Sequence, residues 1–163
     1  MSIKPVVSNN SPLVGLFWLD RLYLLRDLYT EVWIPRKVEA EFLEKDRVAR
    51  CEALENAPWI KTVDVTDPQL AATYVRLHEG EAETLVLADE CDARLVLLDD
   101  KIGRQVAEES GFKVKGTAGI LLEAKQKGLI ESVKPLLMRL RDNKMHLGES
   151  LITNILQEAG EID

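Results

Sequence analysis

Arg94-Leu-Val-Leu-Leu-Asp-Asp-Lys-Ile-Gly-Arg104 is the stretch on which the fold turns. Arg94 to Leu98 reads as a short buried strand, and Asp99 and Asp100 follow it at once. Lys101 to Glu109 is then compatible with a helix. In an open parallel α/β sheet, ligands sit in the crevice beyond the carboxyl ends of the strands. Two aspartates at such a strand end put hard oxygen donors where a divalent cation binds. The same two residues would also serve to turn the chain and cap the next helix, a position Asp favours.

Outward from that stretch, strand and helix signals alternate. Lys4 to Ser8, with Pro5-Val6-Val7, is a strand candidate, and Ser11-Pro12 reads as the cap and first residue of a helix from Leu13 to Asp20. Leu22 to Tyr29 is a second helix. Glu31-Val-Trp-Ile34 is a second strand, stopped by Pro35, which opens a helix from Arg36 to Leu43. Residues 44–57 are charged and alanine-rich, hence helical, and Trp59 to Val65 alternates as a strand. Asp67-Pro68 opens a helix through His78; Gly80 breaks it, and Glu81 to Cys91 resumes. After the helix at 101–109, Gly111 ends that element and Phe112 to Lys115 is a short strand. Thr117 caps a helix to Lys127, Ser132 caps another through Arg141, and Gly148 to Ala159 is the last. Strands separated by helices pair in parallel. No repeat or linker interrupts the pattern, so one domain over residues 1–163 is the expectation.

The chain has 163 residues, enough to bury about 68–70% of its unfolded surface. Cys51 and Cys91 lack metal-ligand spacing and read as free thiols of a reducing compartment. Residues 1–12 do not read as a secretory leader, and the apolar run Leu13 to Leu19 is far too short to span a bilayer. A cytoplasmic location follows as an expectation. Net charge is −7, so the surface as a whole does not attract nucleic acid, and a phosphate-bearing substrate needs a local basic rim or a metal.

The polar residues at strand ends and on the following helices are Ser8-Asn9-Asn10, Glu39 and Glu41, Glu81 and Glu83, and Asp99 and Asp100. Carboxylates converging at one sheet edge repel one another and lose solvation, a state a divalent cation relieves. Carboxylate and amide oxygens with open water positions suit Mg²⁺ or Mn²⁺. Such an ion acidifies bound water and clamps phosphoryl oxygens, so the chemistry that follows is phosphodiester hydrolysis. The alternative for the helical glutamates is a solvated face.

Val6-Val-Ser-Asn-Asn-Ser-Pro-Leu13, Val32-Trp-Ile-Pro-Arg-Lys-Val-Glu-Ala-Glu-Phe-Leu43, Gly80-Glu-Ala-Glu-Thr-Leu85, Leu97-Leu-Asp-Asp-Lys-Ile-Gly-Arg104, Gly116-Thr-Ala-Gly-Ile-Leu-Leu-Glu-Ala-Lys125 and Gly128-Leu-Ile130 occur in this order. The ordered set resembles the PIN-domain nucleases, in a prokaryotic branch described as toxin-like. The resemblance implies a three-layer α/β/α domain around a central parallel sheet of four to five short strands. It implies an Mg²⁺- or Mn²⁺-dependent ribonuclease, the toxin of a toxin–antitoxin pair, with a small antitoxin protein as partner and a homodimer as assembly. Carried over residue by residue, the first-strand acid falls on Asn9, the next on Glu41, the mid-chain acid on Glu83 with Glu81 as second choice, and the late acids on Asp99 and Asp100. Glu81 and Glu83 lie about 200° apart on a helix, so only one faces a pocket. Glu83 is preferred because Thr84-Leu-Val-Leu-Ala88 continues as the buried helix of relatives does. The usual first-strand residue of such nucleases is Asp; Asn9 offers an amide oxygen without charge, or simply holds the turn.

Ser11, Arg36, Lys37, Lys101 and Arg104 fall near the same strand ends and would form a basic and polar rim for RNA phosphates. Solvated helix surface is the plainer reading of each cation. His78 and His146 have no partner at metal spacing and read as surface residues; Trp18, Trp33 and Trp59 read as core or dimer contacts. Gly116 and Gly119 make no phosphate-binding fingerprint. Beside the ribonuclease stands a second reading, a PIN-fold module that binds RNA or a protein without cleaving, for which Asn9 is the support. A phosphate-handling regulatory domain expects paired aspartates on the first strand, where Asn9-Asn10 stand.

Overall fold

A computed structural model describes residues 3–163, so the first two of the residues read above for a leader lie outside it. Five parallel strands form one sheet in the order β3-β2-β1-β4-β5. They are β1 (Val6–Ser8), β2 (Val32–Pro35), β3 (Ile60–Val63), β4 (Leu95–Leu97) and β5 (Val114–Lys115). Helices separate them: α1 (Asn10–Trp18) and α2 (Tyr23–Tyr29) after β1, α3 (Arg36–Phe42) and α4 (Arg47–Glu55) after β2, α5 (Glu79–Glu90) after β3, and α6 (Lys101–Glu109) after β4. Then α7 (Thr117–Gln126), α8 (Lys134–Asp142) and α9 (Glu149–Glu158) close the chain. Together they make the three-layer α/β/α arrangement that the resemblance implies.

The three inner strands are largely buried on both faces and mostly apolar, whereas the edge strands β3 and β5 carry Lys61, Thr62 and Lys115. Side chains still alternate sides. Val6, Val32, Ile34 and Leu97 join the core built with α1, α2, α3, α7, α8 and α9. Val7, Val96 and Leu98 join a second core against Leu85, Leu87 and Ala88 of α5 and Ala107 of α6. The register pairs Val6 with Val32 and Leu95, and Ser8 with Leu97.

Some boundaries differ from the sequence reading. The first helix starts at Asn10 rather than Leu13, and Asn9, in extended conformation, precedes it in place of Ser11. Pro12 is tolerated there because the first helical N–H groups have no intrahelical partner. The segment after Asp67 forms only a 3-10 turn, Pro68–Thr73, and not a helix through His78. Gly80 does not break a helix but sits in the first turn of α5. The helix expected from Ser132 begins at Lys134. Cys51 and Cys91 are unpaired, and among the described residues no helix is long and apolar enough to cross a membrane.

Leu97 is completely buried in β4, an inner strand between β1 and β5. Leu97→Ala should cost about 2–5 kcal/mol of stability, measured by urea unfolding, because the packed sheet cannot collapse onto the void.

Candidate active site

Strand order reverses between β1 and β4, and a crevice opens beyond their carboxyl ends, where open α/β sheets bind ligands. A backbone hydrogen bond from Asn9 N to the Leu97 carbonyl, 2.9 Å, carries the pairing of the two strands into the site. The cavity there has a volume of about 1060 Å³, at the upper limit for small-molecule pockets and suited to a longer ligand. Its wall includes Asn9, Asn10 and Ser11 from the β1–α1 junction, Glu41 from α3, Glu81 from α5, and Asp99, Asp100 and Lys101 from the β4–α6 junction.

Each acid is held by a local device. Asp100 caps α6, its Oδ2 accepting from Gly103 N at 2.8 Å. Glu81 belongs to a capping box at the start of α5, its Oε1 accepting from His78 N at 3.1 Å. The two helix starts meet, and the acids meet with them. A Cβ on Gly103 would lie 3.2 Å from Glu81 Oε2 and 3.4 Å from Asp100 Oδ2, so the pair flanks one glycine that leaves room for both. Asp99 accepts from the Thr117 backbone N–H at 2.8 Å and its hydroxyl at 2.6 Å. Glu41 lies over the first turn of α5, where a Cβ on Gly80 would come within 2.7 Å of its Oε2.

Burial raises the Glu41, Glu81 and Asp99 carboxyls above their ordinary values. For Glu81 the neighbouring Asp100 adds to the rise, and for Asp99 the Thr117 hydrogen bonds and Arg104 oppose it. An acidic crevice in which the charged forms are disfavoured is the setting a cation relieves.

Several residues stand where the sequence placed them and others do not. Asn9, Ser11, Glu41, Asp99, Asp100 and Lys101 line the cavity. Glu83 does not; it is half-buried outside the cavity wall, among Lys37, Glu79 and Asp64, and Glu81 faces the site in its place. The reason is local: the capping box draws Glu81 back toward His78 and Asp100, and Glu83 is then turned about 200° away. Arg36 is committed elsewhere, its Nε donating to Asp64 at 2.7 Å on the exposed surface. Arg104 lines an adjoining cavity of about 380 Å³, which shares Asp99 and His146 with the larger one. The cations on the larger cavity's wall are Lys37, Lys45, Arg50, Lys101 and Lys144. His78, His146 and Trp18, read from sequence as surface or core, also line it. Thr117, legible only as a helix cap, is the residue that holds Asp99.

Asn9 is 6% exposed. Thr84 Oγ1 lies 3.4 Å from its Oδ1 but directs its single proton to the Gly80 carbonyl at 2.7 Å, which leaves the amide oxygen with lone pairs to give. Asn10 Oδ1, on the same wall, is buried without any hydrogen-bond partner. Among the described residues, no three His, Cys, Asp or Glu side chains converge closely enough to grip an ion as they stand. A pair does, Glu81 with Asp100, while Asp99 is turned to Thr117 and Glu41 to Gly80. The donor set is all hard oxygen and suits Mg²⁺ or Mn²⁺, with the acid pair as anchor and the Asn9 and Asn10 amide oxygens on the same cavity wall.

A parallel sheet that delivers buried acids and amides to its switch point defines an α/β protein of nuclease-like build. The chain belongs to the PIN domain family, whose model matches residues 5–161. PIN domains are in general nucleases and typically use divalent metals. Comparison with individual curated proteins finds no match.

Two measurements check this geometry. Because the Glu41, Glu81 and Asp99 carboxyls are raised in the folded protein, the stability they contribute is fully present below the unfolded carboxylate value, 4.5 for glutamate, and is lost as pH rises through the folded values. Metal-free protein should therefore lose stability from these groups as pH rises above that value, and Glu81→Gln should flatten the loss in a urea series across pH. Calorimetric titration with Mn²⁺ should show binding weakened at least about tenfold by Glu81→Gln and little changed by Glu83→Gln.

Proposed function

We propose that this protein is an endoribonuclease dependent on Mg²⁺ or Mn²⁺, acting in the cytoplasm as the toxin of a toxin–antitoxin pair. The observation that carries the reading is the Glu81–Asp100 pair, set beside Asp99 in a crevice where burial raises the carboxyls. Glu81, Asp100 and Asp99 would hold the cation, with the Asn9 amide oxygen as a neutral donor and Glu41 within the same cavity. When bound, such an ion acidifies a water and steadies the phosphoryl oxygens of the substrate. The chain's own residues do the rest. Lys101, at the start of α6, and Ser11, at the start of α1, border the acids and can meet phosphate oxygens. Lys37 bridges to Glu79 at 2.8 Å, which ties α3 to α5 at the mouth of the cavity. A small antitoxin protein would silence the enzyme, and a homodimer is the proposed assembly.

A second reading keeps the fold and drops the chemistry: a module that binds RNA or a protein. What favours it is Asn9, which supplies an oxygen but no charge at the head of the first strand. One assay separates the two. Labelled RNA incubated with the protein and Mn²⁺ should be cut, cutting should stop with a chelator, and Asp99→Asn or Asp100→Asn should each lower the rate by about 100-fold or more. RNA retained by all three proteins without any cut product would decide for the module. Suppression of the cutting by the product of an adjacent gene tests the toxin role.

A further inference from the structure

Arg50 of α4 is a charged side chain that the fold buries without supplying a counter-charge. It is 5% exposed. Its guanidinium carbon lies 5.2 Å from the Phe17 ring and 5.1 Å from the Phe42 ring, which themselves meet edge to face at 5.8 Å. Nη1 donates to the Phe42 carbonyl at 3.0 Å, and Nε is buried with no partner at all. None of the ion pairs among the described residues includes it. A guanidinium has five N–H donors in a planar fork, and burying it is costly unless an anion answers it. The aromatic faces offset part of that cost and also fix the plane of the group. Arg50 lines the same cavity as Glu81, Asp99 and Asp100.

We propose that Arg50 is a phosphate-binding residue of this cavity, taking a backbone phosphate of the bound RNA while the acids take the cation. The proposal rests on the ribonuclease reading and names how that site grips its substrate. A phosphate presents paired oxygens, and with Nε enclosed and one Nη1 proton given to Phe42, Nη2 and the second Nη1 proton are the edge of the guanidinium left to meet them, its plane fixed by the rings. It also answers how a chain of net charge −7 binds a polyanion: the cation that matters is placed inside the cavity rather than spread over the surface.

The test measures affinity for a labelled single-stranded RNA between 50 and 200 mM KCl, in Mg²⁺, on an Asp99→Asn background that binds without cutting. Removing one phosphate contact should make the slope of log K against log salt less negative by about 0.7. Arg50→Gln should show that change together with roughly tenfold weaker binding at the low-salt end. Arg50→Lys, which keeps the charge and loses the fork, should keep the slope and bind more weakly; if Arg50→Gln does not fold, folded Arg50→Lys that binds RNA as tightly as its parent overturns the proposal. A role limited to propping Phe17 and Phe42 or the end of α3 would lower thermal stability and leave the slope alone. An unchanged slope in folded Arg50→Gln, with wild type cutting RNA, overturns this proposal only and leaves the ribonuclease reading standing. Wild type that neither binds nor cuts RNA overturns the ribonuclease reading and the proposal with it.

Discussion

Two helix starts converge on one pair of acids. Asp100 caps α6 and Glu81 closes the capping box of α5, so the carboxylates that cap the helices are also the ones that stand in the crevice. Helix N-termini favour negative charge, and here Asp100 receives the N–H of Gly103 in the first turn of α6 and Glu81 that of His78, the cap residue of α5. That support is what allows two acids to stand so near each other beside Gly103. Burial still raises Glu81, and the proximity of Asp100 raises it further. Capping and metal ligation, which look like competing uses of Asp100, are compatible because a carboxylate has two oxygens and several lone pairs.

The sheet makes this meeting possible. β1 and β4 lie side by side although most of the chain's first hundred residues separate them. The pairing is secured by packing on both faces, with Val6 and Leu97 turned into one core and Val7, Val96 and Leu98 into the other. Such strands have no freedom to slip, since a shift by one residue would exchange every side chain between the two cores. Register therefore sets the position of Asn9 against Asp99 and Asp100, and Thr117 at the start of α7 then orients Asp99 from the side of β5.

The cavity carries both signs of charge. Its acids come from the end of β4, the start of α5, α3 and the α3–α4 loop, and its cations from α3, the α3–α4 loop, α4, α6 and the loop between α8 and α9. Surface cations such as Arg36 are engaged by neighbouring acids, here Asp64 and Glu39. Arg50 stands apart because aromatic rings, not carboxylates, enclose it.

Much of this was legible in the residues. The alternation of apolar runs with helical segments gave a parallel α/β sheet. Asp99 and Asp100 were legible as a strand-end pair, because strand ends are points where sequence position and spatial position coincide, and Asn9 and Glu41 followed from the family resemblance. Glu81 against Glu83 was not legible: the two differ only by a rotation about the helix axis. A capping hydrogen bond to His78 N, three residues away, and the proximity of Asp100 decide which carboxylate turns inward, and the second of these depends on a contact outside the local sequence. Arg50 was not legible either, since a cation in a charged helix reads as surface until Phe17 and Phe42 are seen to close over it. By itself, then, the sequence determined the order of the elements and the residues that end each strand, which follow from local periodicity and turn chemistry. Only the tertiary structure decided which side chains share the crevice, because that depends on how separate helices are rotated as they pack.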